Sequence, residues 1–179
     1  MGRAPLFAVA AVLAFASAAP ADTIFFSRSF PGSVPDYFEV EVDSSGHAVY
    51  REEPDEEDPL TFEVEPETLD ILFGKARELD RFRLDLNSKR KTAFTGDKIL
   101  RYSGEDGANS EAKYVHTENP AASELTTWFL LASETERHRI DIERALQFDR
   151  LGVEKLLRQL HVSFDKGRVV APAQLVPLL

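Results

Sequence analysis

Residues 35–50 decide the fold, and they read PDYFEVEVDSSGHAVY. Phe38, Val40 and Val42 recur at every second position with mostly polar residues between them, which is the period of a strand with one buried and one wetter face. The DSSG segment that follows supplies the small and polar residues of a tight reversal, and AVY supplies a returning strand. This stretch therefore predicts an antiparallel hairpin.

The segments on either side extend this hairpin into a sheet and helix. The apolar run at residues 24–26 predicts a buried first strand, and the alternation at residues 61–64 predicts another short strand. Glu65 and Pro66 then open a helix, because proline is tolerated in a first turn and an acidic residue suits the positive end of a helix. One face of this helix is apolar and is predicted to pack on the sheet; it carries Leu69, Leu72, Phe73, Ala76 and Leu79.

The middle of the chain predicts a second hairpin and a second helix. Residues 92–102 have the pattern of two strands with Gly96 and Asp97 near the turn, residues 104–110 form a loop, and residues 112–117 alternate as a further strand. Asn119 followed by proline is a helix start, with an apolar stripe that includes Trp128 and Phe129. That aromatic pair is expected in the core, with a partner-binding patch as the alternative.

From residue 134 onward the pattern is helical. One helix is expected to end near Asp149, and a second, over residues 153–164, is expected to end before Gly167. These patterns predict an α+β fold in which an antiparallel sheet of hairpins is covered by two helices. The predicted division is a signal peptide at residues 1–21, a sheet-and-helix domain at 22–133 and a C-terminal helical extension at 134–179.

The first 21 residues have the layout of a secretory signal. Arg3 gives a positive start, residues 6–16 are apolar, and the small residues Ala19 and Ala21 fit a cleavage site before Asp22. The apolar run is short for a membrane span, which favours a cleaved signal over a retained membrane anchor, the alternative interpretation. After cleavage no membrane span is expected. The sequence therefore predicts a secreted or periplasmic protein.

Charge and cysteine content restrict the possible functions. The formal net charge is −10 and the chain has no cysteine. A surface of this sign repels nucleic acid, and the basic residues cluster only at residues 89–91, where a solvated loop is expected. Without cysteine there is no thiol nucleophile, iron–sulfur cluster or lipoprotein anchor, and an Ala-rich leader favours a bacterial source.

The segment from Gly32 to Tyr37, with the strand and the Gly46 turn that follow, resembles the start of an uncharacterised family of secreted bacterial α+β domains. In that family a Gly-x-x-Pro-x-Tyr segment leads into a hairpin and then a helix. Many members have cysteines where this chain has Phe30 and Val34. The resemblance implies the same fold, without the disulfide, and it implies no catalytic residues.

Residue types capable of chemistry are scattered. The four histidines, His47, His116, His138 and His161, show no metal-ligand spacing, and no Gly-x-Ser-x-Gly motif is present. Six of the seven residues at 52–58 are acidic, but neither they nor residues 105–109 have the spacing of a calcium loop, so exposed loops are expected. The sequence assigns no catalytic, cofactor-binding or metal-binding residue.

Two functional classes follow from these observations. The favoured prediction is a non-catalytic binding or protein-interaction module of the cell envelope, which contacts a protein partner through the sheet face or the helical extension. The alternative is a hydrolase whose acid–base pair is assembled by the fold from distant histidine and carboxylate residues. A concave pocket that holds at least two of the histidines, or a histidine with a carboxylate, within hydrogen-bond reach would favour the hydrolase.

Overall fold

The structure is a computed structural model that describes residues 21–178. The predicted signal peptide, except Ala21, lies outside these residues. The described chain forms one antiparallel sheet of six strands in the order β4-β3-β2-β1-β5-β6. The strands are β1 (Thr23–Ser29), β2 (Tyr37–Asp43), β3 (His47–Arg51), β4 (Leu60–Glu63), β5 (Asp97–Ser103) and β6 (Asn109–Tyr114).

The hairpin of residues 35–50 is confirmed as β2 and β3. Val42 pairs with Ala48 and Val40 with Tyr50, so the predicted apolar positions lie on one face of the sheet. The turn closes at Gly46, whose amide donates to the Asp43 carbonyl at 3.1 Å. The predicted first strand is also confirmed, and it lies in the middle of the sheet between β2 and β5.

The predicted hairpin at residues 92–102 is wrong. Residues 84–96 contain no helix or strand, and the hairpin consists instead of β5 and β6, joined by the loop that follows Ser103. The irregular segment lies beside the end of β6, where the Ser88 amide donates to the His116 carbonyl at 2.7 Å. The alternation of Ala93 with Thr92 and Phe94 was too short to distinguish a strand from an extended edge segment.

Three α-helices follow or separate the strands: α1 (Pro66–Glu78), α2 (Pro120–Phe148) and α3 (Val153–Asp165). Short 3₁₀ turns occur at Asp80–Phe82 and at Pro172–Leu178, and the latter is called the C-terminal 3₁₀ segment. Both predicted helix starts are confirmed, and the Asn119 side chain accepts a hydrogen bond from the Ala122 amide. The fold is therefore α+β, with C-terminal helices.

The sequence predicted one helix before residue 134 and another after it, but the structure has a single helix, α2, across both regions. Helix α2 runs through the predicted domain boundary without a cap, glycine or proline, and it ends at Phe148 as the sequence predicted. Its central residues are polar, and the glutamates and arginines among them favour helical backbone. Several of them, including Ser133, Thr135 and Glu136, are buried.

The described apolar side chains form two clusters. The larger joins the sheet to α1 and the first half of α2, and in it Phe26 stacks on Phe129 with ring centroids 4.9 Å apart. The smaller joins the second half of α2 to α3 and the C-terminal 3₁₀ segment through Ile142, Leu160 and Leu175. Of the aromatic pair Trp128 and Phe129, Phe129 is fully buried in the larger cluster and Trp128 packs against it while partly exposed. Within residues 21–178 no helix is long and apolar enough to cross a membrane.

Candidate functional site

A largely apolar cavity lies between α3 and the C-terminal 3₁₀ segment, and it is called the C-terminal groove. Its volume is about 630 Å³. The residues that line it are Glu65, Leu157, Leu160, His161, Phe164, Pro172, Ala173, Leu175 and Val176. A concave apolar surface with a few polar groups at its margin is the usual form of a binding site.

The groove forms because the apolar surface of α3 is wider than the part that α2 covers. Leu160 packs on Ile142 and Leu175 in the smaller cluster, and it is 6% exposed. Phe164, one turn further along α3, faces the groove and stays 59% exposed, while Val176 on the opposite wall is 67% exposed. These two walls present large apolar side chains to solvent without a covering element among the described residues.

The charged groups at the groove are mainly acidic. Glu65 lines it and makes no ion pair with any residue of the described chain. His161 lies 3.5 Å from Asp165, one turn away on the same helix, so its positive charge, when present, is partly offset. A ligand with positive charge beside its apolar part would complement this margin.

No protein-family model, curated protein or solved structure matches this chain. The Gly-x-x-Pro-x-Tyr segment forms the irregular connection that leads into β2. The assignment of function therefore depends on the geometry of the described residues.

The open face of the sheet does not provide an apolar binding surface. The Tyr37 hydroxyl donates to a Glu39 oxygen at 2.5 Å, and the same carboxylate pairs with Arg51 at 3.2 Å. Further along this face Arg101 pairs with Glu111 at 2.9 Å. These charges are matched by neighbours on adjacent strands, so the face carries a network of ion pairs and not an uncovered apolar patch.

The structure does not gather the histidines. His47 lies 3.4 Å from Glu63 across β3 and β4 on an exposed surface, and His116 lies beyond the end of β6. Within residues 21–178, no group of three or more histidine and carboxylate side chains is placed to hold a metal ion. One cavity contains a histidine and a carboxylate, namely the C-terminal groove with His161 and Glu65, but these residues make no ion pair with each other.

His138 makes a contact that sequence reasoning missed. Its Nε2 atom lies 3.0 Å from the hydroxyl of Ser163, which joins α2 to α3 across 25 positions of the chain. The pair borders a second cavity of about 560 Å³, to which Lys155 and Arg158 also contribute. A serine hydroxyl bonded to an imidazole is a possible nucleophile and base. No local motif signals it, because the two residues meet only through helix packing.

Lys98 is a second residue that the sequence did not single out. It is 6% exposed, and its ammonium group donates to the carbonyls of Val115 at 2.7 Å and Gly96 at 3.1 Å and to the hydroxyl of Thr95 at 3.0 Å. Burial, and then repulsion from Arg28, lower the pKa of Lys98 to about 8. Since its hydrogens are directed at these acceptors, Lys98 fastens the irregular segment to the sheet edge.

Proposed function

We propose that this protein is an exported bacterial binding module of the cell envelope, and that it holds an apolar, basic segment of a protein partner in the C-terminal groove. The observation that supports this proposal is the pair of uncovered apolar walls to which Phe164 and Val176 contribute. Isolated exposed apolar residues are ordinary, but two facing walls that enclose a cavity of about 630 Å³ are typical of a ligand site.

The expected binding energy comes from covering these walls. Full burial of one large apolar side chain contributes about 1.5–3 kcal/mol. Phe164 and Val176 are already partly packed, so a ligand that covers both gains less than two full contributions and must add contacts along α3. A short amphipathic helix meets this requirement, because its apolar face repeats along the length of a helical groove.

The partner segment is expected to be basic for an electrostatic reason. The chain has a formal net charge of −10, and Glu65 at the groove margin has no counter-charge among the described residues. Complementary charge raises the rate of encounter and penalises acidic competitors. Binding is therefore expected to weaken as salt is added.

A pair of synthetic peptides tests this proposal. The first is a short helical peptide with leucines on one face and lysines on the other, and the second replaces every lysine with glutamate. We expect the lysine peptide to bind, by fluorescence anisotropy, at least about tenfold more tightly than the glutamate peptide. Phe164→Asp should weaken binding by about tenfold or more, because it places a charge in the apolar wall.

Leu151→Asp is the matched control, since Leu151 is 95% exposed and does not line the groove. It introduces the same charge just before the same helix and should leave peptide affinity unchanged. Equal loss of affinity in both variants would show that the peptide binds through general charge and hydrophobicity, and it would contradict the proposal. Failure of the lysine peptide to bind would also contradict it.

The contact between His138 and Ser163 favours a hydrolase as the second candidate. In this role His138 would accept the hydroxyl proton of Ser163 as the Ser163 oxygen attacks an ester or amide carbonyl. It would then give that proton to the departing alcohol or amine, and water would hydrolyse the acyl-serine that remains. Among the described residues, no group hydrogen-bonds to the other ring nitrogen of His138 to orient it. Covalent labelling by a fluorophosphonate that disappears in Ser163→Ala would support this candidate, and no labelling of the native protein would exclude it.

A further inference from the structure

A buried carboxyl group lies on the face of α2 that contacts the C-terminal 3₁₀ segment. Glu136 is fully buried, and neither of its oxygens has a hydrogen-bond partner among the described residues. The side-chain amide of Gln174, on the 3₁₀ segment, is its polar neighbour, and both polar atoms of that amide are also buried and unpaired within the described chain. Such orphaned groups are rare in folded proteins, because each retains an uncompensated desolvation cost.

The protonation state of Glu136 determines this cost. Burial is the largest influence and raises the pKa of Glu136 to about 7, whereas Arg139 and Gln174 lower it and Glu143 raises it slightly. Arg139 is the nearest cation, at 3.7 Å, and it also pairs with Glu143 at 3.0 Å. The C-terminal 3₁₀ segment brings no titratable residue, and from the sheet Glu63 of β4 borders a small cavity together with Arg139 and Gln174.

The C-terminal 3₁₀ segment is held in place by apolar contacts of its own and by the residues just before it. Within the segment, Leu175 is buried in the smaller cluster and Leu178 packs against it. Before it, Arg168 pairs with Glu134, the Val170 amide donates to the Thr135 hydroxyl at 3.2 Å, and Ala171 is buried in the larger cluster. The same segment supplies Pro172, Ala173, Leu175 and Val176 to the groove, so its displacement would remove one wall.

We infer that Glu136 is a pH-operated latch for the C-terminal groove: its protonated form keeps the C-terminal 3₁₀ segment docked on α2, and its ionised form releases that segment. A neutral carboxyl tolerates burial under the C-terminal 3₁₀ segment, whereas an ionised one loses its hydration there, and the Gln174 amide and Arg139 at 3.7 Å offset only part of that loss. Release removes the wall that carries Val176. This inference rests on the proposed function in one respect, which is that the groove it controls is the ligand site.

The direction of the pH effect follows from linkage. An exposed glutamate has a pKa of 4.5, and the docked state raises that of Glu136 to about 7. The docked state therefore binds the proton more tightly, and its advantage is complete below pH 4.5 and is lost as pH rises through 7. Each pKa unit corresponds to a factor of ten in equilibrium, so docking should weaken by about 300-fold over the whole range, of which about 100-fold falls between about pH 5 and about pH 8.

Hydrogen–deuterium exchange of the full chain tests the latch without a ligand. Protection factors for residues 168–178, corrected for the intrinsic pH dependence of exchange, should fall by about 100-fold from about pH 5 to about pH 8. Amides of β1 and β2 serve as an internal reference and should show no comparable fall. Glu136→Gln, which keeps the shape and cannot ionise, should abolish the pH dependence.

Glu154→Gln is the matched control, because the side chain of Glu154 is 83% exposed on α3 and the substitution removes the same charge. It should retain the pH dependence of the native chain. Unchanged protection of residues 168–178 across this pH range in the native protein would overturn the inference, whether or not Glu136→Gln folds. A pH dependence that persists in folded Glu136→Gln would also overturn it.

Peptide binding separates this inference from the proposed function. If the exchange data show the latch but the lysine peptide does not bind at any pH, the proposed ligand site is wrong and the latch stands. If the peptide binds with the same affinity at about pH 5 and about pH 8 while Phe164→Asp abolishes binding, the groove stands and the latch is wrong.

Discussion

At the scale of single residues, Gly46 decides the local structure of the first hairpin. Gly46 has a positive φ of 104°, and a Cβ atom there would lie 2.9 Å from the Val64 carbonyl oxygen. The Gly46 carbonyl also accepts the Val64 amide at 2.9 Å. The hairpin turn is thus pressed against the entry to α1, and only glycine fits.

Gly46→Ala should lower the free energy of unfolding by about 2–3 kcal/mol, because strain at the positive φ adds to the contact with Val64. Gly107→Ala is the control, since Gly107 has a positive φ of 79° but no atom within 4 Å of the position that a methyl group would occupy. It should cost about 1 kcal/mol. Urea unfolding of both variants measures the difference, and equal losses would refute the role of the Val64 contact.

Glu136 also affects global stability in a pH-dependent manner. Its folded-state pKa of about 7 exceeds the ordinary value of 4.5, so its ionisation opposes folding increasingly as pH rises between these values. Glu136→Gln should therefore raise the free energy of unfolding by about 3 kcal/mol at pH 8 and change it little at pH 4.5. Urea unfolding at both pH values measures this, and a gain of equal size at both would show that ionisation is not the cause.

At the scale of secondary structure, α2 is the element that joins the two apolar clusters. Its first half packs on the sheet and its second half on α3. Its start is fixed by Asn119, whose side-chain oxygen accepts the Ala122 amide at 3.3 Å. This bond satisfies one of the amides that a helix leaves free in its first turn.

Asn119→Ala should cost about 1 kcal/mol of stability, because it removes the cap. Asn119→Asp keeps an oxygen in the same place and should be close to neutral. Thermal unfolding followed by circular dichroism compares the two variants. A loss as large for aspartate as for alanine would show that the amide group of Asn119 has a role other than capping.

At the scale of the whole molecule, the two clusters are nearly independent. Among the buried residues of the larger cluster, Ala171 is the one that follows α2 in the described chain. The smaller cluster has few buried residues, and its other members are partly exposed. The sheet with α1 and α2 should therefore be the more stable part.

Truncation after residue 150 tests this organisation. The remaining chain should still unfold cooperatively, with a loss of about 2 kcal/mol that corresponds to roughly 10 °C in Tm, because Ile142 becomes exposed and the Ala171 contact is lost. Peptide binding should disappear, since both groove walls are removed. A truncated chain without a cooperative thermal transition would show that α3 and the C-terminal 3₁₀ segment are part of the folding unit of the sheet.

The sequence by itself determined the α+β class, the β2–β3 hairpin, the buried first strand and both proline-led helix starts. These features depend on local alternation, turn residues and caps, which act over a few positions. It failed at the edge segment of residues 84–96, where the short alternation at residues 92–95 mimics a strand. Only the tertiary structure decided the groove, the contact of His138 with Ser163 and the burial of Glu136, because each depends on helices that pack across distant parts of the chain. A glutamate between polar neighbours has the pattern of a surface residue until the C-terminal 3₁₀ segment covers it.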